Sequence, residues 1–175
     1  VLLLTQLSEA QREEVQRPVT LELGYQICEP TGQGCDHHCY TPIYQETLEK
    51  LLTKISPRVP KVLHLGVCLG ESLVAWAKWL NATVVGLDIH LGLWNRSQDL
   101  FRARDPKSLE KVMALELDST TAAEELRRRF GAESFDFILD DGDHNAAAVE
   151  RSFKRLFLSL LKPGGIYMIE DCRYA

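Results

Sequence analysis

Hydrophobic residues between positions 61 and 169 alternate between two periods along the chain. Short apolar runs bounded by turn-forming residues are typical of buried strands. The segments between them carry apolar residues at a spacing of three to four, which indicates helices packed on one side. We predict strands at residues 62–65, 83–87, 112–117, 135–139 and 166–169, and helices at residues 71–80, 121–130 and from Asn145 onward. This alternation predicts an α/β fold with a doubly wound, Rossmann-like, mostly parallel sheet covered on both faces.

The last predicted helix has clear start and stop signals. The Asn145 side chain can cap its first turn, and the Pro-Gly-Gly run at residues 163–165 ends it. The stretch with Trp94 between the second and third strands shows no clear period and is predicted to be irregular. Five apolar residues of the last helix are expected to face the core: Val149, Phe153, Leu156, Phe157 and Leu160.

The segment before the first strand divides in two. Residues 43–55 carry apolar positions at helical spacing and precede Pro57 and Pro60, which predicts a helix packed on the sheet. We expect an N-terminal helix and loop appendage over residues 1–42 and a single globular α/β domain over residues 43–175.

Composition and charge narrow the class of protein. A chain of 175 residues with 45% hydrophobic residues can form one domain with a sizeable core. The formal charge of −5 and the scattered basic residues give little attraction to a phosphate backbone, so no nucleic acid partner is expected. The apolar opening at residues 1–4 is too short to span a bilayer, and no membrane association is expected. An odd set of five cysteines favours a reducing compartment, so we expect a cytoplasmic protein.

Acidic side chains follow the predicted strands directly. Asp88 comes after the second strand, Asp118 after the third, the run Asp-Asp-Gly-Asp-His at residues 140–144 after the fourth, and Glu170 and Asp171 after the fifth. Ligands of open α/β sheets bind beyond the carboxyl ends of the strands, near the reversal of strand order. The sequence therefore predicts a binding site at that edge.

A turn with two glycines follows the first predicted strand and lies at the same edge of the sheet. Gly66 and Gly70 lie between the first strand and its helix, where a missing side chain lets the backbone approach a ligand. By itself the turn fits a tight connection without a ligand equally well. Asp88 lies about 20 residues further on, where a carboxylate can accept both hydroxyls of a nucleoside ribose. Together they predict a nucleoside cofactor, either S-adenosylmethionine or a nicotinamide dinucleotide.

Asp118 and Ser119 have two compatible interpretations. At the end of the third strand they can bond the exocyclic amine of an adenine ring. They can also cap the helix at residues 121–130, for which an Asp or Ser side chain suffices.

The fourth and fifth strand ends crowd acidic groups together, which is costly without a cation. Hard oxygen ligands at this density suit Mg²⁺, although part of the set is expected to cap a helix or face solvent. His144 lies within this cluster, where an imidazole can take a proton from a substrate hydroxyl or serve only as a structural residue.

The strand-end segments together resemble a known family. Residues 63–73, 85–89, 135–144 and 161–171 occur in the order and spacing of class I S-adenosylmethionine-dependent methyltransferases. They resemble in particular the metal-dependent sugar O-methyltransferases of macrolide biosynthesis and the related cephalosporin hydroxylase-like group. Upstream, residues 38–44 look like the segment that precedes the first helix in these proteins.

The resemblance implies a role for each matching residue. The expected Mg²⁺ ligands are Asp141, Glu170 and Asp171, and the expected catalytic residues are Asp141 and His144, the latter as general base. The metal would orient and acidify a hydroxyl of a sugar or other small secondary metabolite, whose oxygen attacks the sulfonium methyl in line. The expected residues of the S-adenosylmethionine site are Tyr40, Thr41, Gly66, Cys68, Gly70, Asp88, Asp118, Ser119 and Asp140.

Two residues depart from the family pattern. His64 stands where the family has Glu at the end of the first strand, and Cys68 replaces the second glycine of the turn. Both bear on how the amino-acid end of the cofactor is held. The family also continues through two further strands, so we expect a sheet that lacks them. The bare edge of the fifth strand would then offer itself to a second copy of the chain.

Two other functions fit part of the pattern. A degenerate methyltransferase-like domain would keep the fold and interact with partners without catalysis, as His64 and Cys68 suggest. A nicotinamide-dependent oxidoreductase would use the same glycine turn and Asp88, but hydride transfer does not require the acidic cluster.

Overall fold

The computed structural model describes residues 41–171, which form six helices around one five-stranded sheet. The strands are β1 (Lys61–Leu65), β2 (Thr83–Asp88), β3 (Val112–Glu116), β4 (Phe135–Asp140) and β5 (Leu161–Ile169). The helices are α1 (Thr41–Ile55), α2 (Glu71–Trp79), α3 (Gly92–Arg104), α4 (Pro106–Leu109), α5 (Ala123–Phe130) and α6 (Ala146–Leu160).

All strand pairs are parallel, and the order across the sheet is β3-β2-β1-β4-β5. The direction of strand addition reverses between β1 and β4, which run side by side with Leu63 opposite Ile138 and Leu65 opposite Asp140. This is the strand order of a doubly wound sheet, and it confirms the predicted fold class. The reversal creates a crevice at the carboxyl ends of β1 and β4.

The core has two layers, one on each face of the sheet. Val62 of β1 packs into the layer under α1, α2 and α3, whereas its neighbour Leu63 packs into the layer under α5 and α6. In the first layer Trp76 packs edge-on to Tyr44 and to Phe137, with ring centroids 5.0 and 5.6 Å apart. Alternate residues of each central strand thus bury opposite faces, as a sheet covered on both sides requires.

The prediction of an irregular stretch after β2 is wrong, because residues 92–104 and 106–109 are helical. Only Trp94 and Phe101 of α3 are buried, and their rings stack 6.1 Å apart. Two buried residues seven positions apart are too few for a helical period to be recognised in the sequence. Asp105 caps the short α4 by accepting a hydrogen bond from the Ser108 amide.

The predicted inward face of α6 is also partly wrong. Leu156 and Leu160 are buried, but Phe153 and Phe157 are 36% and 39% exposed. These two rings pack against each other and against Tyr167 of β5 instead. Asn145 caps α6 as predicted, since its Oδ1 accepts a hydrogen bond from the Ala147 amide at 3.0 Å.

The strand β5 begins earlier than predicted. It follows α6 without a loop at Leu161, and the Pro-Gly-Gly run at residues 163–165 lies inside it, where its pairing with β4 is irregular. The expected appendage over residues 1–42 lies almost wholly outside the described residues. No helix within residues 41–171 is long and apolar enough to cross a membrane.

A charged cluster holds the amino end of β4, opposite the crevice. Asp136 is buried and accepts hydrogen bonds from both terminal nitrogens of Arg58, at 2.8 and 2.6 Å, from the Lys61 amide and from Lys162 Nζ. Burial alone would raise the pKa of Asp136, but these donors outweigh it and hold the pKa below its usual range. The cluster ties the starts of β1, β4 and β5 together, at the edge of the sheet opposite the crevice.

Candidate active site

A cavity of about 550 Å³ opens at the carboxyl edge of the sheet, at the reversal between β1 and β4. The turn from β1 to α2, the ends of β2, β3 and β4, and the first turns of α6 form its walls. Six residues predicted from the sequence line it, namely Gly66, Cys68, Asp88, Asp118, Ser119 and Asp141. The position agrees with the general rule for ligand sites in open α/β sheets.

Gly66 is required where the β1 turn meets the end of β4. Its φ of +88° lies in the left-handed region, and a Cβ there would be 2.1 Å from the carbonyl oxygen of Asp141. The Gly66 amide donates to the Leu87 carbonyl at 2.8 Å, and the Asp141 amide donates to the Leu65 carbonyl at 3.0 Å. The turn is thereby bonded to both neighbouring strands, and its backbone forms one wall of the cavity.

Asp88 fixes the same turn from the side of β2. Its Oδ2 accepts the amides of Val67 and Cys68 at 2.8 and 3.2 Å, and its Oδ1 accepts the amide of His90 at 3.0 Å. Partial burial opposes ionisation, but these amides outweigh it and hold the pKa of Asp88 below its usual range. The carboxylate therefore stays charged at the cavity wall, and its oxygens have further capacity to accept hydrogen bonds from ribose hydroxyls.

Cys68 continues the turn although it replaces a glycine of the family pattern. Its φ of +50° is in the left-handed region, and its amide is one of those that Asp88 accepts. The side chain is exposed. The replacement thus leaves the turn closed and places a thiol beside the cavity.

Gly70 serves packing rather than the cavity wall. A Cβ on Gly70 would be 2.1 Å from the Trp94 ring, and Gly70 is not among the residues that line the cavity. Its absence of a side chain lets α3 lie close to the start of α2.

The other end of the cavity is formed by the residues after β3. The Asp118 carboxylate accepts the amide and hydroxyl of Thr120 at 2.8 and 2.7 Å, so it closes a local turn before α5. These two bonds, with a smaller contribution from the charge of Arg151, hold the pKa of Asp118 low. Ser119 Oγ lies 2.9 Å from the buried Ser152 Oγ on α6. The capping interpretation is wrong, because α5 has Ala122 as its N-cap and no side-chain hydrogen bond caps it. Both Asp118 and Ser119 line the cavity.

Three side chains beyond the β4 and β5 ends form a group that could hold a metal ion. One ligand atom each of Asp141, His144 and Asp171 lies within 4.8 Å of the other two. His144 Nε2 is 3.9 Å from Asp141 Oδ1 and 4.0 Å from Asp171 Oδ2. All three are partly buried. Asp141 belongs both to this group and to the lining of the cavity.

Asp140 and Glu170 are not members of this group. Asp140 is the last residue of β4, and Glu170 directly follows β5. Asp140 is 3% exposed and its Oδ2 accepts the Tyr167 hydroxyl at 3.0 Å. Burial is the main cause that raises the pKa of Asp140, and it also raises the pKa of Glu170 to about 7, with the charge of Asp171 adding to the second shift. Glu170 is bonded to the sheet through its amide, which donates to the Asp140 carbonyl at 2.9 Å.

Residues 63–172 match the family described as a methyltransferase domain. The chain belongs to this methyltransferase family. The match begins within β1 and includes β2 to β5, the turn and the acidic group, so the resemblance inferred from the strand-end segments is confirmed.

Two curated enzymes are similar to this methyltransferase chain. The 8-demethyl-8-alpha-L-rhamnosyl tetracenomycin-C 2'-O-methyltransferase of Streptomyces olivaceus is 30% identical over 142 residues, which is 77% of this chain and 33% of that enzyme. The mycinamicin VI 2''-O-methyltransferase of Micromonospora griseorubida is 48% identical over 46 residues, 26% of this chain and 11% of that enzyme. The chain therefore spans at most about a third of the length of these relatives.

A solved structure is also similar to this methyltransferase chain. The MycE methyltransferase from the mycinamycin biosynthetic pathway, in complex with Mg and SAH, is 28% identical with a TM-score of 0.63. The similarity covers 89% of this chain and 40% of that enzyme.

Two residues predicted for the cofactor site, Gly70 and Asp140, do not line the cavity. Two others cannot be placed in it. Tyr40 precedes residues 41–171, and the Thr41 side chain is not described.

Sequence reasoning missed Arg151, which lines the cavity from the second turn of α6. A signal was present, because Ala148 and Arg151 are three residues apart and therefore share a face of the methyltransferase helix that follows the acidic run.

His64, the other departure from the family pattern, is buried in the sheet rather than in the cavity. It is 1% exposed, and burial lowers its pKa to about 4. The ring is therefore neutral at pH 7 and acts as part of the methyltransferase core.

We predict that Gly66→Ala destabilises the methyltransferase chain by roughly 2–4 kcal/mol, because the added Cβ meets backbone at a left-handed φ. The free energy of unfolding is measured by urea denaturation. Gly92→Ala is the matched control, since no atom lies within 4 Å of a Cβ at that helical position. Equal effects of the two substitutions would contradict the close approach described for Gly66.

We predict that His64 makes unfolding easier as the pH falls from 8 to 5. The unfolded ring binds a proton near pH 6.5, whereas the folded ring resists protonation until about pH 4. Stability is therefore lost as pH falls through this window, by about 2 kcal/mol at pH 5. His64→Leu should reduce the difference in unfolding free energy between pH 8 and pH 5 by that amount, whereas the exposed His90, changed to Gln, should leave it unchanged. A pH dependence that His64→Leu does not alter would show that the ring is not held neutral.

Proposed function

We propose that the chain is an S-adenosylmethionine-dependent, Mg²⁺-assisted O-methyltransferase. Its acceptor would be a hydroxyl of a sugar or other small secondary metabolite, as the names of both curated relatives support. The observation that carries the proposal is the double role of Asp141, which lines the nucleoside-type cavity and also belongs to the group that could hold a metal. A cofactor in the cavity and a cation beside it would therefore meet at one carboxylate.

The cavity suits the cofactor in size and charge. Its volume lies within the range of about 300–1,000 Å³ that is usual for small-molecule sites. Asp88, Asp118, Asp141 and Asp143 all line it. Such a wall attracts a ligand with a sulfonium and an ammonium group, both of which S-adenosylmethionine carries.

The nucleoside would lie between the Asp88 and Asp118 ends of the cavity. Asp88 keeps its charge at the edge of the turn and would accept the ribose hydroxyls. The amino-acid portion would then extend along Cys68 and Ser72, at the start of α2. In this arrangement the sulfonium methyl would lie toward Asp141, which follows β4 and also lines the cavity.

The acidic group suits Mg²⁺, which takes one or two carboxylates from a protein and keeps several waters. Asp141 and Asp171 would supply those carboxylates. Glu170, also predicted as a ligand, immediately precedes Asp171 in the chain but is not a member of the group. Like-charge repulsion and burial disfavour the ionised form of Glu170, and a cation beside it would favour that form. The bound ion would polarise the acceptor hydroxyl and make its proton more acidic.

His144 would take that proton. Its Nε2 lies between the Asp141 and Asp171 carboxylates, about 4 Å from each, which would stabilise the imidazolium after transfer. As the O–H bond breaks, the oxygen forms a bond to the methyl carbon and the carbon–sulfur bond breaks. The products are a methyl ether, S-adenosylhomocysteine and a protonated His144.

The degenerate, non-catalytic alternative rests on His64 and Cys68. The amide of Cys68 is held by Asp88, so the turn stays closed, and His64 is packed in the sheet outside the cavity. Nothing in the geometry specifically favours a nicotinamide cofactor, which would leave the acidic group without a role. We therefore keep the methyltransferase as the proposed activity.

We also propose that the outer edge of β5 pairs with a second copy of the chain. Within residues 41–171, β5 is hydrogen-bonded to β4 on one side only. Unpaired strand edges associate readily with other strands.

The proposed activity is tested by calorimetric titration of S-adenosylmethionine and of Mg²⁺, followed by transfer of a labelled methyl group to a panel of glycosylated polyketides. We expect both ligands to bind the wild-type chain. Asp141→Asn should lose the Mg²⁺ signal, and His144→Gln should bind the cofactor but transfer methyl groups roughly 10²–10⁴-fold more slowly.

The matched control is Asp99→Asn, which changes a carboxylate that is 91% exposed on α3. It should leave both binding signals at the wild-type level. A chain that is folded by circular dichroism and binds neither ligand would refute the proposal in favour of the non-catalytic alternative.

A further inference from the structure

Arg151 lies on α6 and lines the cavity. It is the only basic side chain among the described residues that line the cavity, in a wall that otherwise carries four aspartates. An isolated cation in an acidic wall is unexpected if the wall serves only to attract a positively charged ligand. We therefore expect the Arg151 guanidinium to contact a specific part of the ligand.

The position of Arg151 on α6 is fixed by its neighbours. Ser152 is 2% exposed, and its hydroxyl lies 2.9 Å from the Ser119 hydroxyl at the end of β3. Ala148, one turn earlier, is buried and also lines the cavity. This contact holds the Arg151 turn of α6 beside the residues that follow β3.

Arg151 lies at the nucleobase end of the cavity. It lines the cavity together with Asp118, Ser119 and Thr120, and the residue after it, Ser152, contacts Ser119. The Asp118 oxygen that faces the turn is already bonded to Thr120. Within residues 41–171, the Arg151 guanidinium forms no hydrogen bond and no ion pair within 4 Å, so its planar face is available to a ligand.

The chemistry of the ligand decides what this cation can contact. A nucleoside without phosphates offers no anion at its base end, but it does offer the π face of the base. A guanidinium lies readily against such a face, combining stacking with attraction to the ring electrons. A lysine ammonium keeps the charge but lacks the plane.

We propose that Arg151 contacts the adenine ring of the bound cofactor with its planar guanidinium and is a binding residue for the nucleoside half. This inference rests on the proposed function, because it assumes an adenosyl cofactor in the cavity. Arg151 takes no part in proton transfer or in metal binding.

The test measures dissociation constants of S-adenosylhomocysteine and of methylthioadenosine, which keeps the nucleoside and lacks the amino-acid portion. We expect Arg151→Ala to weaken both ligands by the same factor, about tenfold. Arg151→Lys should recover only a small part of the loss. Mn²⁺ affinity, measured separately by electron paramagnetic resonance, should stay at the wild-type value.

Arg155→Ala is the matched control, because it removes the same side chain one turn later on α6 at an exposed position outside the cavity. It should leave both dissociation constants unchanged. Wild-type affinity in Arg151→Ala, full recovery in Arg151→Lys, or a loss seen for S-adenosylhomocysteine alone would each overturn the proposed contact. A folded wild-type chain that binds neither ligand would instead refute the proposed function on which the contact rests.

Discussion

The parallel pairing of β1 with β4 is the constraint on which the site depends. It brings the glycine turn after β1 to the same level as the acidic run after β4, with Leu65 opposite Asp140. The Asp141 amide bonds the Leu65 carbonyl, and Gly66 approaches the Asp141 carbonyl too closely for any side chain. Because of this register, the backbone wall of the cavity and a carboxylate of the acidic group are neighbours rather than separate features. A shift of one residue would turn Asp141 away from both.

The acidic residues at the two ends of the sheet have different surroundings. At the amino end of β4, Asp136 is compensated by Arg58 and Lys162 and so contributes to stability. At the carboxyl end, Glu170 and Asp171 lie together and the pKa of Glu170 is raised to about 7. Perturbed acidic groups that lie close together at the mouth of a crevice mark a candidate functional site.

Much of this arrangement could be predicted from the sequence because it depends on strand ends. Asp88, Asp118 and Asp141 each follow a predicted strand. The carboxyl ends of parallel strands meet at one edge of a sheet, so these three residues could be assigned to that edge from the sequence. Contacts that depend on helix orientation could not be predicted. Phe153 and Phe157 have the spacing of core residues but pack on Tyr167 at the surface, and α3 buries too few residues to show its period. From the sequence, Arg151 cannot be distinguished from the other charged residues of α6. Its position at the cavity depends on the contact between Ser119 and Ser152, which only the structure shows.

The central claim is that an adenosyl cofactor and a divalent cation occupy adjoining sites that share Asp141. The most direct test is a crystal structure of the chain grown with S-adenosylhomocysteine and Mn²⁺, with anomalous scattering used to locate the metal. The account predicts adenosyl density between Asp88 and Asp118 and an anomalous peak against Asp141 and Asp171. Cofactor density elsewhere, or a metal peak that does not contact Asp141, would contradict it.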